Sequence, residues 1–314
     1  MPLPLPSLLG TVAIPGSAGL PPLVIDIFDT EANILGRTGD PTGTIAFGTD
    51  TKALYIYNSK GFDRWSEFED GFSDSYSILL NGTSAFMNVG DVDVLDSSTA
   101  FSMSCWVYFN AGKLTGKQCF ISSGPDVNNT IRLHKGDNNE LRFQVQSGGS
   151  GVDLSAGTTN TLALERVWYH VAATYSSGTA KIYLNGSLEQ TGTTGSASSS
   201  GGDGLSVGRL SSGFNTHYMK GNINEVAIWN TTLSDADIYN IWNNRVTTDL
   251  SSKDSYDTDR SGNLVHWWRM GEDWIISPGV GYMVPDEGSG GVNGLFAGGG
   301  ALRSTRVPPT SPGL

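Results

Sequence analysis

The chain has 314 residues, 38% hydrophobic and 16% charged, a size for one large domain with an appendage or for two domains. Its net charge of −12 repels phosphate backbones and argues against nucleic acid as a partner. The 41 glycines, with many Ser, Thr and Asn, point to frequent tight turns and an all-β fold.

Residues 1–28 read as an extended apolar, Pro-rich arm, uncharged before Asp26. With no Lys or Arg and with prolines at 2, 4, 6, 15, 21 and 22, it does not read as a signal peptide. Nor does any apolar run reach the roughly 18 residues of a membrane span. Leu5, Leu8, Leu9, Val12 and Ile14 are poor choices for a solvated tail, so the arm is expected to order against another subunit. A homo-oligomer is the expectation that goes with it.

Residues 29–70 read as a β-hairpin attachment segment. Ile45 and Phe47 alternate with Thr44 and Ala46, Leu54 and Ile56 alternate with Tyr55 and Tyr57, and GTDTK lies between. An isolated hairpin is marginal in water, so Ile45, Phe47, Tyr55 and Tyr57 are expected to pack on a larger body or a partner.

Residues 75–302 carry short strands between turn signals. YSILL ends at Asn81-Gly82. FSMSCWVYF puts Phe101, Met103, Cys105, Val107 and Phe109 on one face, and ELRFQVQ puts Leu141, Phe143 and Val145 inward. WYHVAATY and AKIYLNG follow, with Ile182 and Leu184 sharing a face, then GLSVGR and GNINEVAIW. Many half-buried strands with short turns imply a two-sheet antiparallel sandwich. TGTTGSASSSGGDG (191–204) reads as a flexible surface loop. Cys105 and Cys119 lie in apolar runs and read as buried thiols, with a single bridge between neighbouring strands as the alternative.

One helix is marked. Ser234 is a good N-cap, Asp235 and Asp237 favour the positive end of the dipole, and Leu233 and Ile238 sit at staple positions. LVHWWRMGE (264–272) reads as a strand. DEGSGGVNGLFAGG (286–299) reads as turn-rich, returning as an edge strand, and 303–314 as an irregular tail.

The order of these motifs resembles the laminin-G-like, concanavalin-type jelly-roll family: YSILLNGTSAFMNVGD, FSMSCWVYF, WYHVAATY, KIYLNGSLEQ, LSVGR, KGNINEVAIWNTTLSDADI and LVHWWRMGE, over roughly residues 75–300. The resemblance implies a concanavalin A-like jelly roll, all-β with one short helix, behind the arm and hairpin. It says little of function, because this fold carries many. RTGDPTGTIAFGTDTKALYIYNSKGFDRW (37–65) resembles a segment of tailed-bacteriophage virion proteins, especially appendage and decoration proteins, and LVHWWRMGE resembles phage versions of the sandwich. This implies a structural virion protein assembled in the bacterial cytoplasm. Its arm and hairpin would dock on capsid, neck or tail, and its sandwich would be displayed.

The residues carry no catalytic set. Glucanases of this fold place carboxylates in a Glu-x-Asp-x-x-Glu strand, which does not occur here. The histidines at 134, 170, 217 and 266 have no metal-like spacing. The expectation is a non-enzyme without cofactor. DTDRSG (257–262) resembles the start of a calcium loop, making Asp257, Asp259 and Ser261 weak calcium candidates, but the twelfth position is Trp268 rather than Glu. The loop after LSVGR, where pentraxin-type members hold calcium by carboxylates, has none. Sugar sites stack an aromatic on a pyranose and add polar side chains. Phe214, Asn215, His217 and Tyr218 are the best candidates for that chemistry, although loop aromatics of this kind more often fill a subunit interface. Carbohydrate-binding adhesion to host-surface glycans is therefore the alternative function, with a glycan hydrolase third.

Overall fold

The computed structural model describes residues 10–12, 23–25, 27–41, 44–48, 54–58, 61–64, 74–96, 98–112, 116–126, 128–157, 161–193, 204–211, 216–272, 274–277 and 281–309. The chain divides into two units, Met1–Ser73 and Asp74–Leu314.

In the first unit, β1 (Gly10–Val12) and β2 (Leu23–Ile25) pair antiparallel, so the expected extended arm contains a strand pair. β3 (Ile27–Asp29), α1 (Glu31–Leu35), β4 (Ile45–Gly48), β5 (Leu54–Asn58) and β6 (Gly61–Arg64) follow. The expected hairpin is present, with Ile45 opposite Ile56. It belongs to a four-stranded sheet in the order β3-β4-β5-β6. β3 and β4 are parallel, which requires a crossover connection, and α1 lies in it. Ile34 and Ala46 are fully buried, with Ile27 and Tyr57 packed against them. The Tyr57 hydroxyl accepts from Gly39 N at 2.7 Å, so this aromatic is used inside its own unit. Leu5, Leu8, Leu9 and Ile14 lie outside the described residues. Val12, Phe47 and Tyr55 are described as strand backbone only.

The second unit is the sandwich. Its strands in chain order are β7 (Ser77–Asn81), β8 (Phe86–Gly90), β9 (Ala100–Phe109), β10 (Gln118–Asp126), β11 (Asn129–Lys135), β12 (Leu141–Ser147), β13 (Ser150–Ala156), β14 (Trp168–Ser176), β15 (Thr179–Leu184), β16 (Ser187–Thr193), β17 (Leu205–Val207), β18 (Lys220–Trp229), β19 (Leu264–Trp268), β20 (Ile275–Ser277), β21 (Gly281–Val284), β22 (Gly294–Ala297) and β23 (Leu302–Ser304). One sheet runs β16-β15-β14-β9-β18-β7-β23, with β19 also on β18. The other runs β13-β12-β11-β10-β17-β8-β22-β21-β20. Opposite β9, the first half of β18 pairs with β7 and the second half with β19. The change of partner falls at a bulge where Glu225 has φ +47°.

Alternation builds the core. Phe101, Met103, Cys105, Val107 and Phe109 of β9, with Val171, Ala173 and Tyr175 of β14, face Leu141, Phe143 and Val145 of β12 and Ile131 and Leu133 of β11. Both cysteines are free and buried. Burial pushes the Cys119 thiol up to about 12.

The helix α2 (Asp235–Trp242) starts as expected, with a capping box between Ser234 and Asp237. It lies over the outer face of β15, where Asp235 accepts from Lys181 Nζ at 2.7 Å and from the Tyr183 hydroxyl at 2.8 Å. Two expectations near the end need correction. β22 is interior, with β21 beyond it, because Ile275–Ser277 and Gly281–Val284 pair as two further strands. Arg303 and Ser304, read as the start of an irregular tail, belong instead to the strand Leu302–Ser304, since β23 pairs with β7.

Candidate functional site

The outer face of the β9 sheet is covered. Beside α2, Trp229 Nε1 donates to the Tyr256 hydroxyl at 3.1 Å, and Thr247 N donates to the Pro309 carbonyl at 3.1 Å. Beneath this cover lie two carboxyls, each 3% exposed, Asp74 and Glu225. Asp74 Oδ1 accepts from Asn224 Nδ2 at 2.7 Å, and Glu225 Oε2 accepts from Trp267 Nε1 at 2.6 Å. Burial, aided by neighbouring negative charge, pushes Asp74 up to about 7 and Glu225 well above the carboxylate range. Raised proton affinity suits a general acid, and both groups lie almost fully buried under this cover.

The outer face of the other sheet carries the polar residues that alternation leaves. Register sets Asp153, Gln144, Arg132, Ser122, Ser206 and Asn88 side by side across β13, β12, β11, β10, β17 and β8. The adjoining row is Ser155, Arg142, His134 and Cys119. Arg142 forks onto Asp153, Nε to Oδ1 at 3.2 Å and Nη2 to Oδ2 at 2.7 Å. By contrast Arg132 Nε, His134 Nδ1 and Gln144 Oε1 are buried without a hydrogen-bond partner. Burial holds His134 well below its ordinary value, and the positive charges of Arg132, Arg142, His217 and Lys117 add to the effect.

The connection from β17 to β18 is stitched across β10 at one end of this face. Gly208 N donates to the Phe120 carbonyl at 2.8 Å, Cys119 N to the His217 carbonyl at 2.8 Å, and Met219 N to the Gly208 carbonyl at 2.8 Å. Ser211 N donates to Ser122 Oγ at 2.7 Å, and Lys220 N to Gln118 Oε1 at 2.8 Å. His217 has φ +58°, in the left-handed region that few residues besides Gly, Asn, Asp and His accept. A side chain at Gly82 would lie 2.6 Å from Lys220 Cβ, so this glycine makes room for the lysine stem.

Gly82, Lys117, Gln118, Thr216, His217, Tyr218 and Lys220 line a cavity of about 390 Å³. The Tyr218 ring is 6.4 Å from that of Phe86, and the Arg209 guanidinium lies 3.5 Å over the Phe86 ring. The pairing makes an aromatic and cationic shelf beside the cavity. Burial lowers the proton affinity of His217, and the charges of Lys117 and Arg132 lower it further.

Of the residues read from sequence, the neighbours His217 and Tyr218 line this cavity, whereas Phe214 and Asn215 lie outside the described residues. Lys117, Gln118, Lys220, Phe86 and Arg209 were missed. They come from four separate stretches, and only register unites them. Of the calcium candidates, Asp257 is exposed and its N donates to Asp237 Oδ1 at 3.0 Å. Asp259 Oδ1 accepts from Ser261 N at 3.0 Å and from Ser261 Oγ at 2.7 Å, so these two form a self-satisfied polar turn. Among the described residues, the acidic side chains close enough to share a cation are Asp91, Asp93 and Asp96, with ligand atoms within 4.8 Å of one another.

The sandwich is found widely among solved structures. A candidate carbohydrate binding protein from Bacteroides ovatus superposes with a TM-score of 0.57 at 17% identity, over 87% of this chain and 72% of that one. A heptameric SAP-like pentraxin from Limulus polyphemus gives a TM-score of 0.42 at 15% identity, over 54% of this chain and 82% of that one. The Ruminococcus gnavus IT-sialidase CBM40 gives 0.42 at 14% identity, over 52% of this chain and 95% of that one. At 17% identity the first of these likenesses speaks for the fold alone. No curated protein sequence matches the chain. The family described as the concanavalin A-like lectin/glucanases superfamily matches residues 81–239, half of the chain and the whole run from the end of β7 into α2. The chain belongs to the concanavalin A-like lectin/glucanase superfamily.

Proposed function

We propose that this chain is a carbohydrate-binding protein that takes its ligand beside Tyr218. The observation that carries the reading is the cavity itself. It has an aromatic edge formed by Tyr218, polar and cationic walls, and a volume of about 390 Å³, within the range of small-ligand sites. The Bacteroides ovatus structure, which shares the fold over 87% of this chain, is described as a candidate carbohydrate binding protein. Binding is proposed without catalysis and without a cofactor. Asp74 and Glu225, the described carboxyls with the most strongly raised proton affinity, sit under the opposite sheet's cover. The test is a glycan array followed by calorimetry on wild type and Tyr218→Ala. Wild type should retain one class of glycan, and the variant should lose at least about tenfold in affinity, the scale of one stacking aromatic. Equal binding by both proteins would remove this cavity from the proposal.

A second reading makes the chain part of a tailed-phage virion. Residues 1–70 would dock on capsid, neck or tail, and the sandwich would meet a host-surface glycan. It is supported by the resemblance of residues 37–65 to virion proteins and by the separation of Met1–Ser73 as its own unit. The comparisons favour glycan binding over this reading. Deleting residues 1–73 should abolish binding to particles, and undiminished binding would overturn the virion reading.

A further inference from the structure

We infer that the sugar taken at this cavity is acidic, carrying a carboxylate or a sulfate. The inference rests on the glycan-binding reading and adds the class of ligand.

The charge at this place runs against that of the molecule. The chain has 31 acidic residues to 19 Lys and Arg, yet among the described residues the cavity is lined by the cations Lys117 and Lys220, with His217 held toward its neutral form, and by no carboxylate. Asp137 Oδ2 lies 3.6 Å from Lys117 Nζ, with the two side chains 63% and 43% exposed. Such a pair is weak in water, and an anionic ligand can take its place.

Behind the lining lies Arg132, a cation with a buried Nε, beside His134, which burial keeps uncharged. Cys119 N holds the His217 carbonyl at 2.8 Å, and Cys119 is the register partner of His134 on β11. That bond sets the loop over the row that contains His134, with Arg132 two residues along the same strand. Arg132, Arg142, His217 and Lys117 all act on His134 in the same sense. Arg142 is answered by Asp153 and Glu140. Arg132 Nε and His134 Nδ1 are buried with no partner, an arrangement that costs stability unless something polar satisfies it. A wall of one sign with low-dielectric backing focuses its field outward and raises the local concentration of an opposite charge.

The lining also says what kind of selection is made. Lysines are point charges with rotatable donors, whereas a planar fork for a carboxylate calls for arginine. Among the described residues no arginine lines the cavity. Selection is therefore for negative charge on a stacked sugar rather than for one anion geometry, which is why carboxylate and sulfate fall in one class.

The experiment uses the full chain and calorimetry at low and at about 0.3 M salt. The probes are a uronic-acid oligosaccharide and its carboxyl-reduced neutral form, and a sulfated oligosaccharide and its desulfated form. The acidic member of a pair should bind at least about tenfold more tightly at low salt. That preference should shrink in high salt and vanish in the Lys117→Gln/Lys220→Gln double variant. Lys117→Arg keeps the charge and should keep the preference, which separates loss of charge from loss of fold. Preference for one acidic probe alone names the source of the charge and supports the inference. Equal binding of acidic and neutral members overturns it and leaves the glycan reading standing. Failure of the wild-type chain to bind any probe or any arrayed glycan overturns both.

Discussion

Asn224 Nδ2 donates to Asp74 Oδ1 at 2.7 Å, joining residues 150 positions apart. The bond clamps the first residue of the sandwich unit to β18, a central strand, and it does so with a carboxyl that burial pushes up to about 7. Glu225, the bulge residue next along β18, is raised in the same direction. Folding therefore favours the protonated carboxyls. Their contribution is complete below the ordinary carboxylate value near 4 and is lost as pH rises through about 7. Asp74→Asn keeps an acceptor for Asn224 without the charge. It should match wild type near pH 4 and exceed it at pH 8 by about 1–2 kcal/mol. Urea denaturation of both proteins across that range checks this, because the difference between them cancels the opposing effect of buried histidines. A gap that does not widen with pH would show that Asp74 is not the group responsible.

His170 makes the converse case. It is 1% exposed, its ring lies 5.2 Å from that of Trp106, and neither ring nitrogen has a partner. Burial pulls it down to about 3, so it is neutral in the fold and contributes stability that is lost as pH falls below the ordinary histidine value. His170→Phe removes two desolvated polar atoms while keeping the ring. Thermal melts at pH 7 should show a gain of about 1 kcal/mol, and a loss would mean that the nitrogens are satisfied in solution.

The start of α2 separates two kinds of loss. Ser234 Oγ accepts from Asp237 N at 3.0 Å, and Ser234→Ala should cost about 1 kcal/mol. Asp237 Oδ2 accepts from Ser234 N at 2.9 Å, and its Oδ1 accepts from Asp257 N and Thr258 N at 3.0 and 3.1 Å. Burial works against this carboxylate, but those donors hold its proton affinity below the usual range. Asp237→Ala strands three backbone donors and should cost about 2–3 kcal/mol, as chemical denaturation would read.

Gly186 closes the β15–β16 turn with φ +76°, and a Cβ there would lie 2.7 Å from the Trp242 ring. Gly186→Ala thus combines backbone strain with a collision against α2. A drop of about 2 kcal/mol in a thermal or urea transition is expected. Full stability would mean that α2 shifts freely on the sheet.

The β9 face from Phe101 to Phe109 was legible because alternation is local, and Ser234 because a cap is local. What escaped the sequence reading is non-local. Phe86, Lys117, Arg209 and Tyr218 meet only because β8, β17 and β10 are neighbours, and no periodicity along one strand announces which strand lies beside it. The place of β22 was misjudged for the same reason, since the two strands outside it are short. Glu225 illustrates a different limit. A glutamate with positive φ on a bulge is exceptional by local rules, and Trp267 and Arg269, about 40 positions later, supply its surroundings.

The pairing of β7 with β23 sets Ser77 beside Ser304. A body whose entry and exit lie side by side along one hydrogen-bonded ladder can be spliced into a loop of another protein without prising that loop open. It can equally be reopened at a surface turn, with its old ends joined by a short linker. The sandwich is in this sense a cassette, and its place in a longer architecture is set by where its two ends are tied rather than by anything in its core.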